Sequence, residues 1–312
     1  MESCAFLMKN TASPLNSRVT VKIYFSIITP VLNRRILVGR AVRSVLEQSF
    51  KNYEHILVDN GSTDGTYEFC QSVASEKVKV LLCPDKGVAY ARNMGIRAAL
   101  GRRVIILDSD NQFASSETLF DLYNLSEKFI DVPVVLTSNI DEDGKPVSKP
   151  FKVDSLISLR EYLGSSGEFT PMVDRSWYAV NLHPEIPGII NEFSLYVFIQ
   201  AAITEDMMLS SYKAQIYRTL GEDRVCNKKI NDSASYELST CYSLLLQRYG
   251  DIVVRESILT YVEWLLKSSL YSRLCGKGKV KMVSRRDLVF TTWLIGLIPR
   301  LFIAKFILWF KN

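Results

Sequence analysis

A mainly parallel α/β fold is predicted for this 312-residue chain by three observations. Between residues 21 and 137, short apolar runs of strand length alternate with segments of helical spacing. Each run closes in turn-forming residues. The fourth run ends in two carboxylates one residue apart, Asp108-Ser109-Asp110. Strands separated by helices require right-handed crossovers, which make the sheet mainly parallel. Ligands bind such sheets beyond the strands' carboxyl ends, so the polar residues at those ends are the candidates for chemistry.

The elements follow in order. Val21 to Thr29 alternates, then becomes continuously apolar and stops at Pro30, the pattern of a first buried strand. Ile36, Leu37, Ala41, Val42, Val45 and Leu46 recur at helical steps, which predicts an amphipathic helix of about four turns. Tyr53 to Val58 is a second strand, broken by the turn-rich Asp59-Asn60-Gly61-Ser62-Thr63-Asp64-Gly65. A helix over Thr66 to Ser75, a strand over Val78 to Leu82, a helix over Val88 to Leu100 and a strand over Arg103 to Leu107 complete the first half. Ser115 to Phe129 reads as a helix, Val132 to Thr137 as a strand, and Asp141 to Pro146 as a polar turn. From there to about Gly250 the periodicity weakens, as in loops and short elements around a site.

The composition is 47% hydrophobic, which supports a real core and excludes a disordered chain. Six scattered cysteines without a C-x-x-C pair read as reduced packing residues of a cytosolic protein. His55 and His183 are too few for a histidine metal site. The apolar run Cys4 to Met8 is too short for a secretory signal, so residues 1–22 are expected to be a loose extension. The net charge of +5 is uneven: ten Lys/Arg and two acids lie from Glu263 onward, leaving 28 and 31 in residues 1–262. These basic residues precede a strongly apolar stretch, Leu288 to Phe310, which suggests an anionic membrane surface and not nucleic acid. Pro299, Arg300 and Lys305 inside that stretch favour an interfacial segment over a spanning one. An internal core or dimer helix is the second reading, which would make the protein a homo-oligomer.

Asp108 and Asp110, on alternate residues of an extended chain, point the same way and are able to share a divalent cation. Alone, the tripeptide also fits two solvated acids at a strand-to-loop junction. Thr29-Pro30-Val31-Leu32-Asn33, Val58 to Thr66, Gly87 to Gly95 and Leu107 to Asp110 stand together at four predicted strand ends. In this order and spacing they resemble the inverting family 2 glycosyltransferases of the GT-A fold, closely over residues 24 to 137. The resemblance implies a nucleoside diphosphate sugar donor, with the nucleoside held by Thr29, Pro30 and Asp59. Asn60 stands where the family usually has a second acid, and still offers a donor and an acceptor to a base edge. Arg92 would reach phosphate oxygens or the nucleoside. Asp110 would coordinate Mn²⁺ or Mg²⁺, with Asp108 on the ribose or metal and Ser109 also binding the nucleotide sugar. The chain is thus expected to divide into the extension (1–22), a nucleotide-sugar-binding half (23–137), an acceptor and catalytic half (138–250), and a membrane-associating helical segment (251–312).

Inversion needs a carboxylate that takes the proton of the acceptor hydroxyl. Glu192, Asp206 and Asp223 are the candidates. In the family the acid opens a helix upstream of an aromatic-basic strand end, here Ile216-Tyr217-Arg218. That spacing favours Glu192, at the head of the apolar segment Phe193 to Ile203, with Asp206 second. The acceptor implied is a glycan or lipid-linked glycan at the inner face of the cell membrane, in polysaccharide synthesis. Two rival readings are a nucleotide-sugar-binding partner without a base and a sugar-phosphate nucleotidyltransferase. The second normally needs a Gly-rich basic phosphate loop that Thr29 to Arg35 lacks.

Overall fold

A computed structural model describes residues 23–150, 153–191, 194–204, 206–219 and 232–275. The first half runs β1 (Phe25–Val31), α1 (Val38–Leu46), β2 (Tyr53–Asp59), α2 (Thr66–Ser72), β3 (Val78–Leu82), α3 (Val88–Ala98) and β4 (Arg103–Ile106). Next come β5 (Gln112–Phe113), α4 (Thr118–Lys128), β6 (Val134–Ile140), β7 (Ser148–Lys149), β8 (Ser155–Leu156), α5 (Leu159–Gly164) and β9 (Ser166–Gly167). Then follow β10 (Thr170–Asp174), α6 (Arg175–Val180), α7 (Leu195–Ile203), β11 (Met207–Ile216), α8 (Asp232–Glu256) and α9 (Ile258–Leu274).

The main sheet has the order β3-β2-β1-β4-β10-β6-β11-β5, with β8 also on β11. β1 to β4, β6 and β11 share one direction, and β10 runs against β4 and β6. The expected mainly parallel sheet is therefore present, with β10 reversed at its centre and the two-residue β5 and β8 reversed against β11. Alternate residues of each strand feed two cores, as the pleat requires. Ile28, Val104 and Ile106 pack with residues of α3 and α7 to α9, while Phe25, Ile27 and Ile105 pack with α1 and α4. Full burial of such a side chain contributes about 1.5–3 kcal/mol.

Several predicted boundaries shift for physical reasons. β1 continues through Pro30, because β4 has already left the pairing at Ile28 and no partner requires the missing N–H there. The first helix begins at Val38, not Ile36. Residues 33–35 are instead stitched to the turn after β2: Asn33 N–H donates to Ser62 Oγ, Arg34 N–H to Thr66 Oγ1, and Thr63 N–H to Asn33 Oδ1. The domain boundary expected at residue 250 falls inside α8. Residues 251–275, expected to be membrane-associating, form the end of α8 and α9, which pack on the sheet's helical layer. Among the described residues no helix is long and apolar enough to cross a membrane. Leu288 to Phe310 lies outside the described residues.

Two close approaches set the site. A methyl group on Gly95 of α3 would stand 2.4 Å from Ile28 Cγ2, so only glycine lets α3 lie this close to β1. At the start of β4, Arg103 is fully buried and donates to Ser126 Oγ and to the carbonyls of Phe129, Ile130, Val132 and Pro133. A guanidinium at the carboxyl end of α4 meets the negative end of the helix dipole and ties the α4–β6 connection to the sheet.

Candidate active site

The carboxyl ends of β1, β2 and β4 lie side by side, and the turn after β2 is built on Asp59. Its Oδ1 accepts from the N–H groups of Gly61 and Ser62, both at 3.0 Å. Its Oδ2 is closed to solvent and has no hydrogen-bond partner among the described residues. Asn60 is buried with both ends of its amide engaged: Nδ2 donates to the Asp85 carbonyl at 2.6 Å and Oδ1 accepts from Gly87 N–H at 2.8 Å. The side chain expected to meet a base edge is instead a strut between the β2 turn and the start of α3. Thr29 turns its hydroxyl inward, 2.9 Å from His55 Nε2, and Pro30 is buried in the strand. Neither side chain is offered as a polar contact at the strand end. Burial holds the His55 imidazole down, to a pKa of about 3.

Gly87 opens α3 at φ +135°, where a side chain would strike the Ile189 carbonyl oxygen at 2.6 Å. The N–H of Val88 donates to the Ile190 carbonyl, so residues 189–190 cross directly over the helix start. One turn further, Arg92 Nη2 donates to Asp108 Oδ1 at 2.9 Å and Nη1 to Ser194 Oγ at 3.1 Å. The arginine side chain is 12% exposed and the aspartate 40%, so the cation is fixed while the carboxylate still meets solvent.

After Asp108 the chain turns at once, with Asn111 N–H donating to the Asp108 carbonyl. Ser109 is buried and Asp110 half-buried. Asn111 Oδ1 accepts from Arg218 N–H, and Gln215 Nε2 donates to the Ile106 carbonyl. The end of β11 is thereby brought beside the turn that carries the two aspartates. A cavity of about 610 Å³ opens here, lined by Arg92, Asp108, Asn111, Gln215 and Tyr217 together with Thr260, Glu263 and Trp264 of α9. Glu263 and Glu168, which also lines it, were missed from sequence because nothing in a helical or loop pattern says which polar face meets a cavity.

The segment before α7 is strapped onto α3 and α8. Asn93 Oδ1 accepts from His183 N–H, and its Nδ2 donates to the His183 carbonyl and Glu185 Oε1. Further on, Glu237 of α8 accepts from both the backbone and side-chain N–H groups of Asn191. Glu192 and Asp223 lie outside the described residues. Asp206 is not brought to the site. It precedes β11, its carbonyl accepts from Val134 N–H at the start of β6, and its carboxylate accepts from Thr204. β6 and β11 are parallel to β4, so Asp206 sits at the sheet edge opposite Asp108.

The donors that Asp108 and Asp110 offer are carboxylate oxygens, which suit a hard divalent cation such as Mg²⁺ or Mn²⁺. Among the described residues there is no group of three metal-binding side chains.

Residues 26–177 match the family model described as Glycosyl transferase family 2. TuaG of Bacillus subtilis, whose name assigns it to teichuronic acid biosynthesis as a glycosyltransferase, is 33% identical over 155 residues, covering 48% of this chain and 62% of that protein. Glycosyltransferase GlyG of Streptococcus pneumoniae is 37% identical over 122 residues, 38% of this chain and 40% of its own length. The chain thus spans less than two thirds of both. A Campylobacter jejuni protein, named GalNAc(5)-diNAcBac-PP-undecaprenol beta-1,3-glucosyltransferase, is 26% identical over 263 residues, covering 72% of this chain and 84% of that one. The fold is that of Staphylococcus aureus TarS 1-349 in complex with UDP-GlcNAc, at a TM-score of 0.58 and 16% identity over 80% of this chain and 71% of that one. The mannosyltransferase PcManGT of Pyrobaculum calidifontis, solved with GDP-Man and Mn²⁺, aligns at a TM-score of 0.53 and 15% identity, over 90% and 82%.

Proposed function

Residues 26–177 are a glycosyl transferase family 2 domain, and from that premise we propose that the protein transfers a sugar, with inversion, from a nucleoside diphosphate sugar to a hydroxyl of a glycan or lipid-linked glycan in cell-surface polysaccharide synthesis. The observation that carries this reading is the Arg92–Asp108 pair, set at the carboxyl edge of the sheet and facing the cavity.

The nucleoside lies against the end of β2. Asp59 Oδ2 is a buried acceptor without a donor, which costs about 1–3 kcal/mol, and a ring N–H of the base would satisfy it once a small shift of the turn uncovers it. Arg92 holds Asp108 toward the ribose and presents a fixed positive charge to the diphosphate. What Mn²⁺ or Mg²⁺ on Asp110 would supply is neutralisation of the charge that develops on the departing nucleoside diphosphate. The acceptor oxygen forms its bond to the anomeric carbon as the bond from that carbon to phosphate breaks. Glu192 takes the acceptor proton. The described residues on either side support this role: Asn191 is clamped by Glu237, and Ser194 is bonded to Arg92.

Attachment of Leu288 to Phe310 to a membrane surface would bring the protein to a lipid-carried acceptor. Deleting residues 288–312 should then move it from the membrane to the soluble fraction, and unchanged partitioning would refute attachment.

The experiment that tests the proposed function is a thermal-shift panel of UDP-, GDP- and dTDP-sugars with and without Mn²⁺. Ligand that binds the folded state raises its melting temperature. At least one nucleotide sugar should stabilise the protein, more strongly with Mn²⁺; no shift with any of them would overturn the reading.

A further inference from the structure

Six asparagine and glutamine side chains are buried among the described residues: Gln48, Asn60, Asn93, Asn111, Asn139 and Gln215. A buried amide normally has both its oxygen and its nitrogen bonded. Gln48 donates to the Ser44 and Ser115 carbonyls and accepts from Leu119 N–H. Asn60 and Asn93 are each held at both ends, by the start of α3 and by the His183–Glu185 segment respectively. Asn139, in the cavity wall, donates to the Glu168 carbonyl and accepts from Thr170 Oγ1. Asn111 and Gln215 differ from these four. Asn111 spends its oxygen on Arg218 N–H and Gln215 its nitrogen on the Ile106 carbonyl, while Asn111 Nδ2 and Gln215 Oε1 have no hydrogen-bond partner among the described residues. Unlike Asp59 Oδ2, neither atom is sealed by the described residues. Both residues line the cavity beside the aspartate turn, and they are only 4% and 2% exposed.

The backbone partners decide which end of each amide is turned out. Arg218 N–H meets only the oxygen of Asn111, and the Ile106 carbonyl only the nitrogen of Gln215, so the two free ends are one donor and one acceptor. Phe113, two residues on from Asn111, pairs with Gln215, so the two amides come from neighbouring strands. A sugar hydroxyl both accepts and donates, and hydroxyls on one ring satisfy both ends together. Asn111 also follows Asp110 directly, and the sugar to be transferred is bonded to the diphosphate that a cation on Asp110 would face. Resting on the glycosyltransferase reading, we propose that Asn111 Nδ2 and Gln215 Oε1 bind hydroxyl groups of the transferred sugar, which makes these two residues determinants of donor specificity. A site built to hydrogen-bond a hydroxyl rejects a sugar that lacks it, because the amide is then left buried and unpaired.

The test is titration calorimetry on the full-length protein with Mn²⁺, using UDP-glucose, UDP-N-acetylglucosamine, GDP-mannose and dTDP-glucose, each against its parent diphosphate. Asn111→Asp keeps an oxygen for Arg218 N–H and removes the free donor; Gln215→Met removes the free acceptor at nearly constant length. In each variant the dissociation constant of the nucleotide sugar, divided by that of its diphosphate, should rise about fivefold over wild type, roughly 1 kcal/mol. Division by the diphosphate value cancels effects of the substitutions on the cation or on folding, and either variant suffices where the other folds poorly. An unchanged ratio in well-folded variants would overturn the proposal, since the amides would then meet water or the acceptor. Equal weakening of sugar nucleotide and diphosphate, or wild type that binds a diphosphate and none of the four nucleotide sugars, would overturn it too. These outcomes leave the glycosyltransferase reading in place; wild type that binds neither a diphosphate nor a nucleotide sugar removes both.

Discussion

Arg92 Nη2 stands 2.9 Å from Asp108 Oδ1, and the same guanidinium reaches Ser194 Oγ, so one side chain joins α3, the end of β4 and the start of α7. The pairing depends on a planar fork with donors in two directions. Lysine keeps the charge but loses one of those bonds. Arg92→Lys should lower kcat/KM for donor turnover about 10- to 100-fold, some 1.4–2.7 kcal/mol. Steady-state kinetics check this, and wild-type turnover in the variant would remove Arg92 from the site.

Asn60 is a strut, and its replacement should cost stability. Asn60→Ala leaves Gly87 N–H without its acceptor and should lower unfolding free energy by about 1–3 kcal/mol. Asn60→Asp restores the acid usual in the family, yet it sets a carboxylate oxygen against the Asp85 carbonyl that Nδ2 now reaches at 2.6 Å. Urea unfolding should show both variants destabilised. A stabilised or unchanged Asp variant would show that the amide is not needed.

Much of this arrangement was legible in the sequence. β3 appears with its predicted bounds, and β2, α3 and β4 to within one or two residues, because strict periodicity and turn residues frame them. The two-residue β5 has no pattern to read, and β10, Thr-Pro-Met-Val-Asp, carries a proline that argues against an interior strand. Asn60 looked like a ligand because its partners, Asp85 and Gly87, belong to a loop that only folding brings near. Asp206 looked plausible because its distance along the chain says nothing of which sheet edge it reaches; the direction of β11 decides that.

Asp206 lies at the sheet edge opposite Asp108, so the two candidate bases should respond differently. Glu192→Gln should lose at least about 100-fold in kcat, as removal of a general base does, while the donor dissociation constant holds. Asp206→Asn should leave turnover within about twofold, as expected for a residue that touches none of the reacting groups. Parallel kinetics and donor titrations read both. A collapse in the Asp206 variant with normal turnover in the Glu192 variant would reverse the assignment.

His55 gives the fold an acid sensitivity. Burial depresses its pKa to about 3, so below pH 6.5 the unfolded chain takes up a proton that the folded one refuses. The contribution is lost as pH falls from about 6.5 toward 3, with a slope approaching 1.4 kcal/mol per unit. Urea unfolding at pH 6.5 and 5.0 should differ by about 2 kcal/mol more in wild type than in His55→Gln. Equal differences would mean that His55 accepts its proton in the folded state.

In the proposed function the β4 end binds a nucleoside diphosphate through Asp110 and a divalent cation. The direct measurement is release of nucleoside diphosphate from the donor identified by thermal shift, with Mn²⁺ and with EDTA, by wild type and Asp110→Ala. Wild type should release the diphosphate in a Mn²⁺-dependent manner, at a rate that falls at least about 100-fold in the variant. Release by Asp110→Ala at the wild-type rate, with the same Mn²⁺ dependence, would contradict it.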